Sequence, residues 1–296
     1  MKKTAAKVNP RLKNIKQLMH LVRPVIDQVS ILSWKASDGF WLLVCRCVLR
    51  RQFDALGAMV SMVSRGEAHA SVPLLRPACE EFLWIKYLQT VKSELREEIV
   101  LQKSLIETAD SLDAQRAYAG DGTMKELGFT TRFLDGFIEY RQIAQSKLKT
   151  AKKQLNWPRR PELLPSTRYL ARVTNEMELY DLIYHATSRT VHFTVSELLR
   201  WAWGDAKEVT ISSRHMNEYW AIFSLYWGWR LFFFTFAQIA EAFESAGVFL
   251  QDFSDEALFE SLMSEFASLG MVPIITSHEM NLHIPVNQRH LFINLS

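Results

Sequence analysis

The sequence predicts an all-α fold, a single large helical bundle, on three observations. Apolar residues recur at three- and four-residue spacing, as in Phe40, Trp41, Leu43, Val44, Cys47, Val48, Phe53, Leu56 and Met59. Only 11 Gly and 9 Pro punctuate 296 residues, and most of them fall between the periodic stretches. Hydrophobic residues make up 48% and charged residues 23%, enough apolar mass for a sizeable core. This excludes a disordered, collagen-like or disulfide-stapled chain.

Residues 1–15 read as a mobile basic arm, 16–270 as one helical domain and 271–296 as an extended or hairpin tail. Ser37 and Asp38 are capping residues, so the first long helix is expected over 38–64. Ser71 with Pro73 two residues on opens a second, to about 91, because proline is tolerated in a first turn. Ser93-Glu94 begins a charged helix to about 118, closed by Gly120-Asp121-Gly122. Another covers 131–156 and stops at Trp157-Pro158. The one proline-rich linker lies between 157 and 165, and the helical domain is expected to cross it. Helices follow at 166–173, 176–203 and 213–246, the last with Gly247 as its C-terminal cap. A short helix at 255–269 ends at Gly270. Beyond it, Ile274-Ile275-Thr276, His283-Ile284 and Leu291-Phe292-Ile293 read as extended pieces separated by Pro273, Pro285 and Asn287.

The formal net charge of +3 hides strong segregation. Residues 1–26 and 141–160 contain no acid and hold fourteen of the 35 basic residues. Lys147, Lys149, Lys152, Lys153, Arg159 and Arg160 form the second run, a candidate surface for RNA. The alternative is a basic tail and a helix end whose lysines complement the dipole. Three cysteines without a C-x-x-C pair argue against a disulfide framework or zinc site and point to a reducing cytoplasm. The N-terminal apolar stretch, 18–26, is broken by His20, Arg23 and Pro24, unlike a secretory signal. Residues 220–240 are long enough to span a membrane. Arg230 near their middle would cost about 2.5–3.5 kcal/mol there, so a buried core helix is expected instead.

No glycine-rich phosphate loop is present. His278 and His283 are five apart, the wrong spacing for a helical zinc motif, so no metal and no cofactor is expected. Two polar clusters stand out in apolar surroundings. Arg76 and Glu80 are one helical turn apart, and Tyr184, Ser188 and His192 stand at successive steps of four. On a continuous helix Tyr184 and His192 would be about 12 Å apart, with Ser188 between them. One reading is a polar network tying two helices together. The other is a metal-independent ribonuclease site. There, His192 and His185 would move protons and Arg189 or Arg76 would hold phosphate, beside Glu80, Tyr184 and Ser188.

At these residues the chain resembles a bacterial family of helical proteins of unknown function. That family pairs an L-x-R-x-x-x-E helix, here Leu74 to Glu80, with a Y-x-x-x-S-x-x-x-H helix, here Tyr184 to His192. The resemblance covers roughly residues 40–240. More distantly, the chain is similar to the HEPN superfamily, whose toxin and antiviral ribonucleases use R-x(4–6)-H. Here the nearest spacings are Arg189 to His192, with two residues between, and Arg65 to His69, with three. The resulting expectation is an RNA-binding or RNA-cleaving protein, an effector of bacterial antiviral defence. The competing expectation is a non-enzymatic module that binds a partner defence protein or a second copy of itself. A membrane-associated effector acting through 220–240 is a third.

Overall fold

The computed structural model describes residues 10–30, 39–158, 162–204, 209–212, 214–247, 250, 255–268 and 272–274. Among these the chain forms α1 (Pro10–Ser30), α2 (Phe40–Ser64), a 3-10 segment (Ala68–Leu74), α3 (Leu75–Gln89), α4 (Ser93–Glu126), α5 (Thr131–Gln154) and α6 (Thr167–Val173). There follow α7 (Met177–Val191), α8 (Val195–Leu199), strands β1 (Ala202–Gly204) and β2 (Val209–Ile211), α9 (Asn217–Ser245) and α10 (Glu256–Ser268). The fold is all-α, and among the described residues the one small sheet is the antiparallel β1–β2 pair.

The helices follow from the apolar spacing. Trp41, Cys45, Leu49, Phe53, Leu56, Val60 and Val63 recur every three or four residues, and all are buried along α2. Gly39 precedes α2 with φ of 81°, a conformation that glycine adopts without penalty. The helix start is held from a distance, because Glu97 of α4 accepts a 2.9 Å hydrogen bond from the Trp41 backbone N–H. Ser37 and Asp38, the expected caps, lie outside the described residues, as do Gly270 and the expected extended pieces beyond Ile274. Thr130 and Ser166 cap α5 and α6 through their hydroxyl oxygens.

Several boundaries differ from the sequence expectation. Helix α1 begins at Pro10, and Ile15 is buried, so the ordered domain reaches into the stretch expected as an arm. The helix expected from Ser71 opens as a 3-10 segment through Pro73, and α3 proper begins at Leu75. Pro77 is tolerated in the first turn of α3, where its missing N–H has no intrahelical partner to lose. Gly120 breaks the helical dihedrals of α4 as expected, with φ of 79°, but the helix resumes and runs on to Glu126. The single helix expected over 176–203 is instead α7, a break at 192–194, α8 and β1. Thr190, Val191, Phe193, Thr194 and Val195 are β-branched or aromatic, which weakens helix propensity over that run. Gly247 follows α9 in the left-handed region with φ of 71°, as a C-terminal cap requires.

Helix α9 is the centre of the bundle and packs against α1, α2, α3 and the 3-10 segment. Phe223, Trp229, Leu231, Phe232, Ile239 and Phe243 are all essentially inaccessible to water. At Gly228 a Cβ would stand 2.6 Å from the Met59 sulfur, so glycine there permits the close approach of α9 to α2. Helix α3 packs against α6 and α7 on its other side, which brings Tyr184 of the second polar cluster to Arg76 and Glu80 of the first. Helices α4 and α5 pair with each other, joined by the turn at 127–130. No helix of the described residues is long and apolar enough to cross a membrane.

His69, in the 3-10 segment, stands edge-on to Trp201 with ring centroids 4.7 Å apart. Burial lowers its pKa, because the charged imidazolium loses hydration there. A histidine that is harder to protonate when folded leaves stability intact above the unfolded pKa of about 6.5. That stability is lost as pH falls through the lower folded value. Melting curves from pH 8 to pH 5 are expected to show a shallower decline for His69→Gln than for the wild type. Parallel declines would remove His69 from this role.

Candidate functional site

Arg76 and Glu80 lie on one face of α3, and α7 brings Tyr184 against them. Arg76 Nε donates to Glu80 Oε1 at 3.3 Å, and Arg76 Nη2 donates to the Tyr184 hydroxyl at 2.8 Å. The Tyr184 hydroxyl in turn donates to Glu80 Oε1 at 3.1 Å. The guanidinium carbon lies 4.3 Å from the Tyr184 ring centroid, a cation–π contact. Burial works against the Arg76 charge, but the bonds to Tyr184 and Glu80 outweigh it and raise its pKa. These three groups therefore use one another, and Arg76 is tied to a carboxylate instead of standing free for phosphate. Glu81, next along α3, is buried and pairs with Arg51 of α2.

The other predicted residues divide between two places. Tyr184, His185 and Ser188 line a cavity of about 300 Å³ together with Arg168, Tyr180 and Asp181. His185 is exposed at its mouth. The Tyr180 and Tyr184 rings lie 4.4 Å apart, tilted by 35°, and burial, then the neighbouring Tyr184, raises the Tyr180 pKa. Arg168 comes from α6 and Tyr180 from one turn earlier on α7 than Tyr184. Sequence reasoning singled out neither residue, although Tyr180 continues the Tyr184–Ser188 stripe backward by four.

Arg189 and His192 are elsewhere. Arg189 lies on α7 with its Nε 3.9 Å from Glu197 of α8. Glu197 also pairs at 3.2 Å with Arg200, whose side chain is 1% exposed. His192 is the residue after α7, with extended dihedrals (φ −101°, ψ 160°), and is exposed. The step-of-four stack expected from Tyr184 through Ser188 thus ends before reaching it.

The basic run on α5 is partly neutralised by α4. Arg141 pairs with Asp110 and Asp113, and Lys147 pairs with Glu98 at 2.9 Å. Lys152 donates to the Glu162 carbonyl at 2.8 Å. Lys149 and Lys153 are exposed one turn apart, and Arg159 and Arg160 lie outside the described residues. Among the described residues no group of three or more His, Cys, Asp or Glu is placed to hold a metal. His278, Glu279 and His283 lie outside them. The thiols of Cys45 and Cys79 are buried, and burial raises both pKa values, that of Cys79 to about 12.

No curated protein and no solved structure gives a match to this chain, and the HEPN likeness finds no support in the comparisons. One family model matches residues 42–208, a shorter span than the resemblance drawn from the motifs, but it contains Arg76, Glu80, Tyr184, Ser188 and His192. By that match over more than half its length, the chain belongs to DUF5677, a family of unknown function.

Proposed function

We propose that the chain binds single-stranded RNA at the pocket beside α7 and cleaves it without a metal. The observation that carries this reading is the convergence of Arg168, Tyr180, Tyr184, His185 and Ser188 on one cavity. Aromatic rings give unpaired bases a surface to stack on, and an arginine and a hydroxyl suit phosphate and ribose. His185 takes the proton-transfer role in preference to His192, because it lines the same cavity as Arg168. In the reaction His185 removes the proton of a 2′-hydroxyl, and the 2′-oxygen attacks the adjacent phosphorus. The bond from phosphorus to the 5′-oxygen breaks, and that oxygen leaves with a proton from water. A 2′,3′-cyclic phosphate remains, while Arg168 carries charge on the non-bridging oxygens. Lys149 and Lys153 add only a general, salt-sensitive attraction. An effector role in antiviral defence rests on this activity.

The test is binding and cleavage of total RNA and tRNA by the purified chain in EDTA. His185→Ala should abolish cleavage, a loss on the order of 10²-fold or more. Arg168→Ala should weaken binding, and His192→Ala should leave both unchanged. A folded wild type that neither binds nor cleaves RNA would overturn the proposal. It would favour the non-enzymatic module, whose surface would be sought at the exposed apolar run of Phe193, Val195, Leu198, Val209 and Ile211.

A further inference from the structure

A second cavity, of about 740 Å³, runs between α3, the start of α7 and α9. That volume is within the range of small-molecule sites. Its walls mix apolar side chains, Phe82, Leu182 and Phe234 among them, with polar ones such as Asn175 and Gln238. Arg230 is the one basic residue of α9 and lines this groove. Its guanidinium sits among Tyr226, Trp227 and Phe234, with ring centroids 5.1–5.6 Å away, and Nη1 donates to the Tyr226 hydroxyl at 2.7 Å. Among the described residues no carboxylate lies within ion-pair distance of it, whereas Arg76, Arg141, Arg189 and Arg200 each have one. A guanidinium has five N–H donors, so most of its fork is unused by the described residues.

One further set of donors faces the same groove. Residues 175–179 also line the groove, and they include the start of α7, which has no side-chain cap. The first N–H groups of a helix are free donors and carry its positive end. The lining acids are Glu176, already paired with Lys86, and Glu178 in the first turn of α7.

The geometry points to a binding site for a small molecule with a carboxylate head on an apolar body. Arg230 takes the carboxylate in its planar fork, and Phe82, Leu182 and Phe234 cover the body. A carboxylate suits the site better than a phosphate. It is planar and singly charged, so it matches the fork and meets less repulsion from Glu178. This site is separate from the RNA pocket and does not depend on it.

The experiment is isothermal titration of the purified chain with 3-phenylpropionate and decanoate, against 3-phenylpropionamide and inorganic phosphate. At least one carboxylate should bind, and the neutral amide and phosphate should bind at least tenfold more weakly. Arg230→Met, which keeps bulk and apolar contact, should weaken the carboxylate at least tenfold, with Arg230→Lys between it and the wild type. Glu178→Gln should tighten carboxylate binding, because a like charge is removed. The proposal is overturned if neither carboxylate binds in the millimolar range or if the amide or phosphate binds as tightly. Unchanged affinity in a folded Arg230→Met would overturn it as well.

Discussion

Glu197→Ala is expected to cost about 3–5 kcal/mol of folding stability. Glu197 is 4% exposed and serves two cations, Arg200 at 3.2 Å and Arg189 at 3.9 Å. Removing the carboxylate leaves Arg200, itself 2% exposed, in an apolar setting. Its remaining contacts include the Ile274 carbonyl at 2.8 Å and the faces of Trp220 and Tyr219. Those contacts orient the guanidinium but do not neutralise it. With domains stable by about 5–15 kcal/mol in all, the loss is a large fraction of the total. Urea denaturation should show a lower midpoint with the slope unchanged. The double variant Glu197→Ala/Arg200→Met should recover much of the loss, since removing both charges avoids the unpaired one. A single variant with the wild-type midpoint would contradict the assignment.

Phe232→Ala is expected to cost a similar amount, about 3–5 kcal/mol, by the loss of buried area and the cavity left behind. Phe232 is 1% exposed on the central helix. Its ring meets Phe53 of α2 at 5.9 Å, Trp229 at 5.5 Å and Phe236 at 6.1 Å. Truncation therefore loosens the seam between α2 and α9 as well as α9 itself. The expected signature is one cooperative transition at a lower denaturant concentration, and Phe232→Leu should restore part of it. A cost below about 1 kcal/mol would mean that the seam collapses around the gap.

Much of the helix order was legible because helix periodicity is local. The spacing of Leu49, Phe53, Leu56 and Val60 states which face of α2 is buried, whatever that face packs against. Capping is local too, so the end of α9 at Gly247 could be read from a few residues. The break after α7 falls in the β-branched and aromatic run at 190–195, whose low helix propensity is a local signal as well. The candidate site was legible only in part. Polar residues in apolar helices marked Arg76, Glu80 and Tyr184 as needing partners, since such groups are costly to bury alone.

The sequence by itself determined the all-α class, the positions of the main helices and which residues had to be paired. Tertiary structure alone decided the pairings: Tyr184 to Arg76 and Glu80, Arg189 to Glu197, and none of the described carboxylates to Arg230. It also brought Arg168 of α6 to the cavity of His185, and Glu97 of α4 to the start of α2. The physical reason is that helix formation follows from the spacing of neighbouring residues, whereas a partner across the bundle depends on the register and crossing of whole helices. Those are settled by the packing of the entire core around α9.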